Sequence, residues 1–195
     1  AGGGQRKFNE WAQQLLFESL CYSAVSNDGN FRVFNINRAD TASSFQTITL
    51  SQIDMSSISV ALTDITNVYN RFYVRYKENH QTKDFDSFIF CEEANSNLSS
   101  GASTYKGMCI NSQSLYGFIN QFTYNLSGVC EVVVAEIIIK LMIEWLTFQK
   151  LVIHFSGDFA YLFKYEVGDR IKLNFTDNDG ATIIPSQFNN SATKG

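Results

Sequence analysis

The side chains that could do chemistry in this sequence are few and far apart. Two histidines are present, His80 and His154. His80 stands in the polar stretch ENHQTKD, a turn candidate in which a solvated side chain is the simpler reading. His154, in KLVIHF, could act as a general base toward Cys130 or a serine, because catalytic triads are assembled in space rather than along the chain. No G-x-S-x-G elbow or other local nucleophile motif accompanies it, so no catalytic residue is assigned and the chain reads as a non-enzyme. Glu92 and Glu93 are adjacent acids in a polar run, where carboxylates are normally just solvated. A glycosidase would need such a pair held at a set separation in a cleft. Phosphate loops, dinucleotide fingerprints, EF-hand loops and zinc-protease motifs are absent, so neither a cofactor nor a metal is expected.

The four cysteines, Cys21, Cys91, Cys109 and Cys130, have no zinc-like spacing. Cys91 and Cys109 flank a polar insertion and could be bridged, but four reduced thiols acting as small apolar side chains is the preferred reading. One stripe carries more information. In VYNRFYVRYKEN, Tyr69, Arg71, Tyr73, Arg75 and Lys77 alternate with Val68, Phe72, Val74 and Tyr76, which puts the aromatic and basic set on one strand face. Such a face can stack single-stranded nucleic acid or can face solvent or another subunit. The net charge of −4 favours the second, so the stripe is a candidate subunit or partner interface and no specific nucleic acid is expected.

The elements that must position these residues can be read from period and turn chemistry. The low charged fraction, 17%, and the high aromatic fraction, 14%, with a single proline, favour strands. KFNEWAQQLLFESL repeats Phe8, Trp11, Ala12, Leu15, Leu16 and Leu20 at helical spacing, and CYSAV and FRVFNI flank an Asp28-Gly29 hairpin turn. Strands follow in FQTITLSQIDMSSISVAL, in the stripe, in FDSFIF, GFINQFTYNL and KLVIHF, and in YEVGDRIKLNF. VVVAEIIIKLMIEWL is too short and too charged for a membrane span and reads as a buried helix over 131–148. Its Glu136, Lys140 and Glu144 form one polar stripe on an apolar cylinder, which demands cover from a sheet and from a further element or subunit. The stretch 92–107 lacks any apolar period and reads as an exposed loop. The opening AGGGQRKF reads as the flexible lead-in of a piece from a longer protein, and 187–195 as a flexible tail.

Four stretches, in order, carry a family resemblance. EWAQQLLFESLCYSAVSNDGNFRVFNI is a helix and a D-G hairpin. ALTDITNVYNRFYVRYKEN places an Asn before an alternating run that ends in Tyr. NSQSLYGFINQFTY holds an S-x-x-x-Y-G element, Ser112 to Gly117, entering a strand. EIIIKLMIEWLTFQKLVIHFSGDFAYLFKYEVGDRIKLNF is a helix, a strand and a V-G-D strand. Together they resemble the central region of baseplate hub and tail-tip proteins of tailed bacteriophages.

The resemblance implies an α+β, strand-rich fold: an antiparallel barrel-like sheet with an N-terminal helix plus hairpin (5–60) and a barrel-like part (61–186) holding the buried helix. It implies a structural role at the distal end of the tail in the virion, after assembly in the host cytoplasm. The expected partners are copies of the chain, as a trimer, and other tail proteins: tube, spike and receptor-binding. It also implies that Gly168 and Asp169 form a bend at a strand entry rather than a site. A cell-surface or carbohydrate-binding module, suggested by the Tyr- and Asn-rich surface and the long polar loop, is the alternative.

Overall fold

A computed structural model describes residues 8–35, 45–165 and 169–174. In chain order its elements are α1 (Phe8–Glu18), β1 (Cys21–Val25), β2 (Phe31–Asn35), β3 (Gln46–Thr49), β4 (Ser59–Leu62), β5 (Arg71–Glu78) and β6 (Phe85–Cys91). There follow α2 (Ala102–Tyr116), β7 (Gln121–Leu126), α3 (Val132–Leu146), β8 (Leu151–His154), α4 (Phe159–Leu162) and β9 (Ile171–Asn174). No described helix is long and apolar enough to cross a membrane. The chain divides into two units, Ala1–Leu20 with Thr63–Lys150, and Cys21–Leu62 with Leu151–Gly195. α1 belongs to the first unit and the β1–β2 hairpin to the second.

In the first unit, β5 is the centre of a three-stranded sheet ordered β6-β5-β7, antiparallel to β6 and parallel to β7. Alternation along β5 sends Phe72, Val74 and Tyr76 to one face, beside Ile89 and Cys91 of β6 and Leu126 of β7. That face is covered by α2 and α3. The sequence of α3 is crowded with β-branched residues, each disfavoured in a helix by up to about 0.7 kcal/mol relative to Ala. Full burial of Ile138, Ile139 and Ile143 contributes roughly 1.5–3 kcal/mol each, which outweighs that preference. Much of the cover demanded by the apolar cylinder comes from within the chain, from the sheet and α2, while Val132, Val133 and Trp145 stay exposed. Its polar stripe faces protein too. Buried Glu136 accepts from the Ser99 N–H (2.7 Å) and hydroxyl (2.6 Å), Lys140 donates to Ser100 Oγ (2.9 Å), and Glu144 accepts from the Tyr105 hydroxyl (3.0 Å).

The second unit is built from pairs of short strands: the β1–β2 hairpin, parallel β3–β9 and antiparallel β4–β8. The hairpin turns over Ser26–Asn30, with Gly29 at φ +82° and the Asp28 carboxylate taking bonds from the Ser26 hydroxyl and the Asn30 amide (2.7 Å). Those two bonds hold the Asp28 pKa at about 2. Ile48 and Ile53 centre a small core with Ile153, Leu162, Ile171 and Leu173. Gly157 crosses Ile53 so closely that a Cβ would lie 2.4 Å from the Gln52 carbonyl, which leaves room for no larger residue.

The expected antiparallel barrel does not form. Among the described residues the strands fall into four small sheets, two of the pairings are parallel, and no sheet closes on itself. The physical reason is α2. It starts at Ala102, inside the stretch read as an exposed loop over 92–107, and with α3 it buries one face of the β6-β5-β7 layer. A layer covered by helices on one face has no burial left for closure to supply. Gly168, half of the expected bend, lies outside the described residues, as does 187–195; Asp169 stands exposed just before β9.

Candidate interface on the open face of the three-stranded sheet

The side of the β6-β5-β7 sheet away from α2 and α3 carries the alternate residues: Arg71, Tyr73 and Arg75 from β5, Asp86, Phe88 and Phe90 from β6, and Gln121, Thr123 and Asn125 from β7. Register sets Tyr73 opposite Phe90 and Arg75 opposite Phe88. The Tyr73 and Phe90 rings stack at 5.7 Å, and Phe88 stacks on Phe90 at 6.0 Å. This ladder ends in open solvent: Phe88 is 57% exposed. A stacked aromatic row with one large ring uncovered is a surface that gains by being covered.

The polar groups at one end of the ladder are already paired. Arg71 grips Glu93 with two nitrogens, Nε at 2.9 Å and the nearer terminal nitrogen, while Gln113 donates to the same carboxylate at 2.9 Å. The Tyr73 hydroxyl donates to Glu92 at 2.8 Å, and that bond is the first cause of its raised pKa. So the two acids of the polar loop are struts that hold the stripe in place. Asn97 of the same loop fixes the edge of β6: its side chain accepts from Phe90 N–H (2.7 Å) and donates to Phe88 C=O (3.0 Å). Those two bonds occupy backbone groups that another strand would need to pair along this edge, leaving the face rather than the edge to meet a partner.

Of the stripe expected from sequence, Arg71, Tyr73 and Arg75 share the open face. Tyr69 does not: it precedes the strand and packs toward the core, its ring 5.0 Å from Phe122. Lys77 sits exposed at the strand end with φ +63°, where its N–H bonds Val129 C=O at 2.8 Å. Phe88 and Phe90 were missed, although the alternation of FDSFIF opposite the stripe contained the signal. With Arg71 neutralised by Glu93, and Glu92 and Asp86 on or beside the face, the surface has no excess of cations for phosphates.

Glu93 supplies a pH test. Its carboxyl is held at about 2, below the ordinary 4.5, chiefly by the Arg71 bond, with burial opposing and Gln113 adding to the effect. A depressed carboxyl stabilises the fold above pH 4.5 and loses that contribution as the pH falls through about 2. Because the pair is partly solvated, its worth is about 1 kcal/mol or less. Glu93→Gln is expected to flatten this limb of stability against pH, read by urea melts at stepped pH. A limb identical to the parent's would show that the pair adds nothing.

The other candidates for chemistry are dispersed. His154 is exposed on β8, and among the described residues no trio of His, Cys, Asp and Glu could hold a metal. A cleft of about 570 Å³ opens between α1, the β5–β6 turn and the β7–α3 connection, lined by Trp11, Glu18, Glu78, His80 and Lys83 among others. Its acids are occupied. Buried Glu18 accepts from Ser127 N–H (3.1 Å) and Gly128 N–H (2.7 Å), and Glu78 is paired with Lys83 at 3.7 Å. Glu18 thus fixes α1 to the start of the β7–α3 connection, a role that an acid at the end of a helix did not signal. No family model matches the sequence, and comparison with curated proteins finds no match.

Proposed function

We propose that this chain is a structural module of a bacteriophage tail tip or baseplate hub. It assembles with copies of itself, as a trimer, at the distal end of the tail tube and joins the tube to spike or receptor-binding proteins. The observation that carries the reading is what the residues of the family-like stretches do. Asn70, Ser112 and Tyr116 each tie one element to another, and Gly117 closes α2. The Ser112 hydroxyl donates to Thr147 C=O (2.7 Å), the Tyr116 hydroxyl accepts from Gln149 N–H (2.9 Å), and Gly117 ends α2 at φ +73°, a conformation that suits glycine. Motifs spent on internal scaffolding suit a protein whose work is to hold shape within an assembly. The barrel is no part of this reading.

The contact surface is the aromatic ladder, in which Phe88 stacks on Phe90 and stays largely uncovered. Phe88→Ser, which removes the most exposed ring of the ladder, is expected to weaken self-association by about 30-fold or more, the measure of one interface hot spot. Sedimentation equilibrium of the parent and variant reads it; equal association would put the interface elsewhere. The role itself is tested by immunogold electron microscopy of tailed particles from the source. Label confined to tail ends supports the hub, and label on cell surfaces or away from tails overturns it. The carbohydrate alternative is less favoured, because Glu92, Glu93, Asn97, Ser99 and Ser100 of the polar loop are each bonded to other groups of the chain.

A further inference from the structure

The cleft beside α1 has no part in the assembly reading, and its walls are tied to one another by named bonds. Glu18, at the end of α1, accepts from the Ser127 and Gly128 N–H groups, and Lys77, near the end of β5, donates its N–H to Val129 C=O (2.8 Å). Helix and strand end are thereby both fastened to one short connection. The β5–β6 turn is fixed in its own right: the Asn79 carbonyl accepts from Lys83 N–H (2.7 Å), and the Asn79 side chain accepts from Gln81 N–H (3.0 Å). At Gly128 a Cβ would lie 2.5 Å from the Glu18 carboxylate, so the contact that joins helix to connection leaves no room for a side chain. A cleft of about 570 Å³ held in this way is formed before any ligand arrives, and its size suits a small molecule.

The groups that line it divide by chemistry. Trp11, 52% exposed, and Leu15 make an apolar wall on α1. The end of β5 and its turn contribute Glu78, His80 and Lys83, and the connection contributes Ser127. Among the described residues the His80 ring and the Ser127 hydroxyl have no hydrogen-bond partner, and the exposed Lys83 ammonium has only a loose 3.7 Å pair with Glu78. These groups can donate and accept. The charges cancel: Lys83 offsets Glu78, and Glu18 is committed to two backbone N–H groups. Neither an anion nor a cation would find a free counter-charge here. The ligand that fits is neutral, with an apolar face for the indole and several hydroxyls for the polar side. A sugar ring has both, because its C–H face stacks on an aromatic ring while its hydroxyls donate and accept. We propose that this cleft binds a neutral sugar residue, stacked on Trp11 and hydrogen-bonded by Glu78, His80, Lys83 and Ser127. The site is separate from the polar loop and does not rest on the hub reading.

The test is saturation-transfer NMR on the full chain with the methyl glycosides of glucose, galactose, mannose and N-acetylglucosamine, and with methyl glucuronide as a charged counterpart. At least one neutral glycoside is expected to bind saturably and in preference to the glucuronide. Trp11→Ala should weaken that binding about 10-fold, the measure of one aromatic contact. Trp145→Ala removes the other exposed indole, which is no part of the cleft wall, and should leave binding unchanged. His80→Ala, on an exposed turn where truncation spares the fold, should weaken binding about 3-fold or more through one lost hydrogen bond. Absence of binding by every neutral glycoside, preference for the glucuronide, or binding that Trp11→Ala and His80→Ala leave unchanged would overturn the proposal.

Discussion

Phe72→Ala is expected to lower the unfolding free energy of the first unit by about 3–5 kcal/mol, the largest loss of any single truncation in the sheet. Phe72 is fully buried on the central strand, pairing with Cys91 on one side and Phe122 on the other. It therefore touches both neighbouring strands and the helices that cover them. The helices cannot settle into the space left, because α3 is held at Glu136 by Ser99, and Thr147, just beyond its end, by Ser112. The cavity stays open and its cost adds to the lost transfer free energy. Small domains are stable by only about 5–15 kcal/mol in total, so such a loss would leave the unit near its unfolding threshold. Phe88→Ser supplies the contrast. One strand over and on the opposite face, it should change stability by no more than about 0.5 kcal/mol while weakening association. Guanidinium titrations of both variants measure the difference. A loss below about 1 kcal/mol for Phe72→Ala would mean that the helical layer is free to collapse onto the sheet.

The two faces of β5 were legible because alternation in VYNRFYVRYKEN is strict: Phe72, Val74 and Tyr76 are buried as the period demands. The β1–β2 turn was legible from Asp28-Gly29, and α3 from its polar residues four apart. Tyr69 was misassigned because period alone cannot say where a strand begins. Its parity matched the stripe, but the strand starts two residues later at Arg71. The helix α2 was invisible for a different reason. ASTYKGMCINSQSLY buries only Cys109 and Ser112 fully, with Ala102, Tyr105 and Met108 packed beside them, while Ile110 and Leu115 stand exposed on other faces and blur the hydrophobic period. Without it, nothing in the sequence stood against the barrel that the resemblance implied. On α1 the error runs the other way. Trp11 and Leu15 mark an apolar stripe, yet both are exposed, and Phe17 with the buried acid Glu18 makes the contact. A carboxylate that serves as an acceptor for backbone amides cannot be told from a solvated one until its partners are known.

Asn70→Ala should cost about 2–5 kcal/mol, and its aspartate counterpart tells why. The resemblance marked only an Asn ahead of an alternating run in this stretch, without saying which. In the fold Asn70 is fully buried, and its amide spans the gap between the entry to β5 and the entry to β7. Its Nδ2 donates to Phe118 C=O at 2.9 Å and its Oδ1 accepts from Asn120 N–H at 2.8 Å. Its own N–H bonds Asn120 C=O at 2.9 Å, and Asn120 returns a side-chain bond to Val68 C=O at 3.0 Å. Parallel strands have no hairpin to fix their register, so this clamp sets how β7 enters beside β5. Alanine leaves the half-buried Asn120 N–H and Phe118 carbonyl without their partner, at about 1–3 kcal/mol for each group. Asn70→Asp keeps the acceptor for Asn120 but sets a charged oxygen against the Phe118 carbonyl. It should be at least as destabilising as alanine at neutral pH. Acidification should then restore part of the loss, because a protonated carboxyl can donate to Phe118 as the amide did. Thermal melts of the parent, Asn70→Ala and Asn70→Asp at neutral and mildly acid pH separate the cases. Recovery confined to the aspartate variant would establish that the donor to Phe118 matters. Equal behaviour of the two variants at both pH values would reduce Asn70 to a space-filling side chain.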